Sequence, residues 1–316
     1  MTGERSWRRS RPAHSTDRSV VDSGDNGRAG PCGLQTRAGV LIGYRSLGTA
    51  ARLGRVGIGK PIVVIMDGTL ERYAGEVASA MGAVLGGRLV GVYLHGSAVL
   101  GGFDARRSDV DILVVCESPI AADERSAAAE ALGDDRLPCP AHGLELSIVT
   151  LPVARNPTAR PAFELHVTTA PDDTKVVDGH GHEGDPDLVL GFAVCRQAGR
   201  LLGPGRPASE VFGRVPGELV LAQLRDELRW GTEHAVGEYA VLNACRAWRF
   251  AVDRVLVSKV DGGLWALDRT SVPERELIQT ALDRQRCLPA AGLAPAAVQR
   301  FVDQVMSRLP EASPTP

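Results

Sequence analysis

The sequence has no apolar run near the ~18 residues that a membrane-spanning helix needs, so a span is excluded. It also has no Cys-x-x-Cys and no paired spacing among its six cysteines, Cys32, Cys116, Cys139, Cys195, Cys245 and Cys287. That pattern suits a reducing cytosol, where lone cysteines behave as small buried hydrophobes. The start, SWRRSRPAHSTDRS, is basic but lacks the apolar core of roughly 7–15 residues that a secretory signal carries. A cytoplasmic protein is therefore expected. What is present is enough for a core: 316 residues, 44% of them hydrophobic, which is the size of one large or two medium domains.

Charge is unevenly placed. Residues 1–65 hold eleven Lys/Arg against four Asp/Glu, a balance of +7, in a Gly-, Ser- and Arg-rich stretch with no sustained period. Such a segment reads as a disordered extension, or as sequence upstream of a true start at Met66, where patterned sequence begins. The other 251 residues carry 25 basic against 34 acidic groups, a balance of −9. An acidic body repels nucleic acid and attracts a cationic small molecule.

The chain is organised around 91–115, GVYLHGSAVLGGFDARRSDVDILVV. It reads as a buried strand, a tight Gly-Ser turn, a polar excursion and a second strand. Gly96 lets backbone approach a phosphate, and Ser97 offers it a hydroxyl and an amide. Asp109 and Asp111 alternate with Val110, so both carboxylates leave one face of a strand while Val110 enters the core. Two such carboxylates suit Mg²⁺, which needs few protein oxygens when nucleotide phosphates supply the rest. Ser108 stands beside them, and Arg106 and Arg107 lie within reach of a triphosphate.

Upstream, Asp67 is a plausible N-cap, and Leu70, Tyr73, Val77, Met81 and Val84 recur at helical steps up to Gly86-Gly87. Downstream, 121–132 is Ala/Glu-rich and helical, closed by Gly133. In 143–151, GLELSIVTL, alternation puts Glu145, Ser147 and Val149 on one face and Leu144, Leu146 and Ile148 on the other. An acid inside an otherwise apolar strand needs a partner, a metal or a job.

The Gly-Ser turn followed by Asp-x-Asp resembles the signature of the nucleotidyltransferase superfamily. HGSAVLGG, RRSDVDILVV and ELSIV together resemble the aminoglycoside adenylyltransferases that modify streptomycin and spectinomycin. The excursion is one residue longer than is usual there. The resemblance implies that Glu145 is the third carboxylate, binding a second metal or taking the proton of the attacking hydroxyl. In the family's hinge region a Trp is usual, whereas 164–170 reads ELHVTTA.

Residues 152–186 hold five prolines and the run DGHGHEGDPD, so short helices or loops are expected. His180 and His182 beside Glu183, Asp185 and Asp187 lie in a Gly-rich loop without fixed geometry, which makes a poor metal site. Helices are expected over 187–201, 217–235, 239–257, 273–286 and 295–308, with Pro273 and Pro295 at first-turn positions. Leu242, Cys245, Val252 and Val255 form one apolar stripe. The stretch YAVLNACRAWRFAVDRVLVSK carries the resemblance further and implies that Arg246 and Lys259 reach the triphosphate. It also implies that Trp230 and the acids of 226–238 (Asp226, Glu227, Glu233 and Glu238) line the substrate side, where an aromatic face and carboxylates suit a cationic sugar.

The fold class expected is α/β plus all-α. A polymerase-beta-like nucleotidyltransferase mixed sheet with flanking helices occupies 66–155, and a linker runs over 156–186. A helical bundle for substrate and nucleotide spans 187–310, and 311–316 is a frayed tail. The expected reaction is Mg²⁺-dependent transfer of AMP from ATP to a hydroxyl of an aminoglycoside, releasing pyrophosphate. Asp109, Asp111 and Glu145 hold metal, and Gly96, Ser97, Ser108, Arg246 and Lys259 hold nucleotide. A monomer with no nucleic-acid partner is expected. Two alternatives stand beside it: the same chemistry on a protein or nucleic-acid hydroxyl, or a nucleotide-binding relative without catalysis.

Overall fold

A computed structural model describes residues 68–235 and 237–310. The expectations for residues 1–65, for Asp67 as an N-cap and for the tail 311–316 lie outside the described residues.

The first helix, α1 (Gly68–Leu85), forms where the apolar residues recur at helical spacing, and it ends where Gly86 turns to φ 52°. A 3₁₀ turn (Gly86–Arg88) leads into β1 (Leu89–Leu94), then the short helix α2 (Ser97–Leu100) and β2 (Val110–Cys116). Helix α3 (Ala122–Ala131) crosses to β3 (Leu144–Thr150), which is followed by α4 (Leu151–Arg155).

The Pro-rich stretch then contributes two strands, β4 (Leu165–Thr168) and β5 (Lys175–Asp178). Helix α5 (Leu188–Ala198) is shorter than its apolar pattern suggests, because 200–202 leaves the helix to form β6 (Arg200–Leu202). Among the described residues the six strands form one sheet in the order β5-β4-β3-β2-β1-β6. β2 and β3 pair in parallel, and the other neighbours are antiparallel. The sheet thus runs past residue 155 at one edge and is closed at the other by a strand from beyond residue 187.

The remaining elements are α6 (Ala208–Val211), α7 (Gly217–His234), α8 (Gly237–Asp253), α9 (Lys259–Leu267), α10 (Val272–Gln285) and α11 (Pro295–Arg308). Helix α8 stops at Asp253, before Val255. Val252 is 61% and Val255 42% exposed, so the apolar stripe expected at 242–255 is buried only at Leu242 and Cys245.

Strand alternation divides the core in two. Val92, Leu94, Ile112, Val114, Leu146 and Ile148 face α1 and α3. Tyr93, Leu113, Val115 and Val149 face the other way, against Phe192 and Phe212. Each fully buried Val or Leu contributes roughly 1.5–3 kcal/mol. Tyr93 keeps its polar end satisfied by donating to the Arg206 carbonyl at 2.8 Å, and burial pushes its hydroxyl up to about 12. Asp111 shares parity with Leu113, and Glu145 with Ser147, so both acids start the second face where α5 and the helical half leave an opening. A third cluster, centred on α8, holds α7, α10 and α11 together.

Candidate active site

The opening is a pocket between the start of β2 and β3, α2, α5, α7, α8 and the start of α9. Its wall includes Gly96, Ser97, Ser108, Asp109, Asp111 and Glu145, and from the helical half Arg246 and Lys259. Eight predicted residues from well-separated parts of the sequence therefore meet in one cavity.

Parallel pairing puts Asp111 in register with Glu145, so the two carboxylates stand side by side on neighbouring strands. Gly96 is required by its neighbour as well as by its turn. Its φ is 62°, and a Cβ there would lie 1.8 Å from Asp111 Oδ2. The close approach that glycine permits is thus to the carboxylate across the hairpin. The His95 N–H fixes the same hairpin by donating to the Asp111 carbonyl at 2.9 Å.

Asp109 precedes β2 and is oriented from outside the signature: His142 Nδ1 lies 2.9 Å from its Oδ1, and His142 Nε2 lies 3.6 Å from Asp172 Oδ1. The excursion before it is folded on itself. Ser108 Oγ accepts the Asp104 N–H at 3.1 Å, and Arg106 binds the Asp104 carboxylate, whose pKa that hydrogen bond holds low. Behind the site Cys195 is fully buried, and burial pushes its thiol well up, with the Asp111 charge adding to the effect.

Across the pocket, Arg246 on α8 lies 3.4 Å from Glu227 on α7, which also accepts the Tyr239 hydroxyl at 3.0 Å. Lys259 Nζ sits 4.6 Å above the Tyr239 ring. Helix α9 approaches α8 closely at Gly262, where a Cβ would come within 2.8 Å of the Arg246 nitrogen. Ser258 caps α9, accepting from the Asp261 N–H at 3.0 Å, and this sets where Lys259 begins.

Three predicted substrate residues do not line the pocket. Trp230 is buried, stacked on His234 and edge-on to Tyr239. Glu233 is exposed beside His234. Glu238 is buried and committed to structure: Arg107 and Arg284 each reach it at 3.0 Å. Burial alone would raise its pKa, but these hydrogen bonds outweigh it and hold the carboxyl below its usual range. Arg107 also donates to the Arg284 carbonyl at 2.6 Å, so it ties the loop before Asp109 to α10. Arg106 points to Asp104 instead of the pocket.

Sequence reasoning under-read four lining residues. Glu227 was one of several acids on α7 and is separated from the rest by helix phase alone. Asp185 and Asp187 sat in an apparently shapeless loop, yet both line the pocket. Asp187 accepts from Gln223 Nε2 at 2.6 Å. Asn243 carried no signal beyond its place on α8. His182 packs against Phe163 instead of joining a metal cluster.

Among the described residues no group of three or more His, Cys, Asp or Glu is placed to hold a metal ion by itself. That is compatible with Mg²⁺, which is typically held by one or two carboxylates plus substrate phosphates. The donor chemistry of Asp109 and Asp111 fits such an ion. Among the described residues no helix is long and apolar enough to cross a membrane.

The geometry has counterparts among known proteins. The chain is similar to the crystal structure of spectinomycin adenyltransferase AAD(9) from Enterococcus faecialis with ATP and spectinomycin. The match has 14% identity and a TM-score of 0.59, over 74% of this chain and 98% of that one. No curated protein matches the chain. The chain shares the fold of that structure, a mixed sheet with flanking helices and a C-terminal helical region. Residues 210–308 match the family model described as "Aminoglycoside adenylyltransferase, C-terminal domain".

Proposed function

We propose that the protein transfers AMP from ATP to a hydroxyl of an aminoglycoside-type antibiotic of the streptomycin or spectinomycin class. The observation that carries this reading is the convergence of Asp109, Asp111 and Glu145 with Arg246 and Lys259 on one pocket. Asp109 and Asp111 would hold Mg²⁺, which supplies charge neutralisation at the phosphates when bound. Division of the chain into a sheet part and a helical part belongs to the same proposal, with the boundary after β6, because the linker expected at 156–186 supplies β4 and β5 and 200–202 pairs with β1.

The acceptor oxygen attacks the α-phosphorus of ATP. The new O–P bond forms as the bond to the bridging oxygen of the β-phosphate breaks, and pyrophosphate leaves. Glu145 takes the hydroxyl proton. Ser97 and Ser108 hold phosphate oxygens beside the Gly96 turn. Arg246 and Lys259 offset the charge gathering on the leaving pyrophosphate. Glu227, one of the acids of 226–238 expected on the substrate side, supplies a carboxylate to a cationic acceptor. The acidic balance of residues 66–316 supports a cationic small acceptor over nucleic acid.

The test is pyrophosphate release from ATP and Mg²⁺ with streptomycin and spectinomycin offered separately. Release with either, together with an AMP adduct by mass spectrometry, is expected. ATP binding without release in either case would contradict the reading and favour a protein acceptor or a nucleotide sensor.

A further inference from the structure

Asn243 is 1% exposed, and neither its amide nitrogen nor its carbonyl oxygen has a hydrogen-bond partner. Native proteins rarely leave both ends of a buried carboxamide unpaired, because each orphaned group carries its full desolvation penalty. This residue also belongs to the pocket wall. On α8 it lies four residues after Tyr239 and three before Arg246, on the helix face those two share. Glu227 bonds both of them, so its carboxylate spans the turns on either side of Asn243.

We infer that Asn243 is a recognition residue for the acceptor, taking a ligand that presents a hydrogen-bond donor and an acceptor side by side. The inference rests on the adenylyl-transfer reading above and extends it to the identity of a contact. A phosphate offers only acceptors and would leave the Asn243 carbonyl orphaned. A hydroxyl is donor and acceptor at once, and an ammonium group nearby would meet Glu227. A hydroxylated amine therefore satisfies the whole group, whereas the triphosphate satisfies half of it and adenine, whose N6 amine and N7 can also pair with a carboxamide, brings no cation to Glu227.

Two variants test this: Asn243→Leu, which keeps the volume and removes both orphaned groups, and Asn243→Ala. Binding is measured by calorimetry on the full chain. ATP is titrated alone, and streptomycin and spectinomycin each in the presence of a non-hydrolysable ATP analogue and Mg²⁺. The expected result is a rise in Tm for Asn243→Leu, with acceptor binding weakened about tenfold or more in both variants and ATP binding within about twofold. Acceptor affinity unchanged in both variants, or a loss confined to ATP, overturns the inference while leaving the functional reading in place. Wild-type protein that binds neither antibiotic overturns that reading and this inference with it.

Discussion

Replacing Glu238 with Ala should destabilise the protein without acting through substrate contact. The carboxylate is buried, with 4% of its side chain exposed, and two guanidinium groups reach it at 3.0 Å. Removing one partner of a buried ion pair costs about 3–5 kcal/mol when the remaining charge stays buried. Here the arginines keep 24% (Arg107) and 37% (Arg284) side-chain exposure, so water screens part of the loss. A cost of about 2–3 kcal/mol follows, or roughly 5–10 °C in Tm for a domain of this size. The pH dependence has a definite sign. Because the folded pKa of Glu238 is depressed, its contribution is fully present above the ordinary glutamate range and fades as pH falls through the depressed value. Chemical denaturation of wild type and Glu238→Gln across this range should therefore converge at low pH and separate near neutrality. Equal stability of the two at pH 7 would refute the clamp.

Other expectations follow from close approaches. Gly96→Ala places a Cβ on the Asp111 carboxylate at a positive φ, so nucleotide binding should be lost, with about 2–4 kcal/mol of stability. Isothermal titration with ATP and a melting curve check both effects, and a fully active variant would contradict the hairpin geometry. Gly262→Ala pushes α9 from the α8 backbone at Arg246. About 1–3 kcal/mol of destabilisation is expected, with a rise in KM for ATP exceeding any rise in KM for the antibiotic.

What the sequence made legible was local. The Gly-Ser turn and Asp-x-Asp are twelve positions apart, Ser97 to Asp109, and Glu145 stands out because an acid in an apolar strand is costly. The β6 strand was hidden because Leu201 and Leu202 continue the apolar pattern of α5, and only pairing with β1 draws them out of the helix. β4 and β5 were hidden by the prolines around them, since their strand character comes from adding to an existing edge. Trp230 and Glu238 have the right chemistry for substrate, but partners far along the chain take them. Arg107 lies 131 residues from Glu238, and no local pattern announces that pair. Glu227 and Glu233 look alike in sequence. Six residues of helix rotate the second by about 240° from the first, which separates a pocket residue from a solvated one.

The most direct test of the central claim is pyrophosphate release by Asp109→Asn and Asp111→Asn, set against wild type with ATP, Mg²⁺ and the antibiotic that supports turnover. Near-isosteric replacement keeps the hairpin, so circular dichroism and Tm should change little while release falls at least about a thousandfold. Release persisting near the wild-type rate in either folded variant would contradict the assignment of this pair to the reacting phosphates.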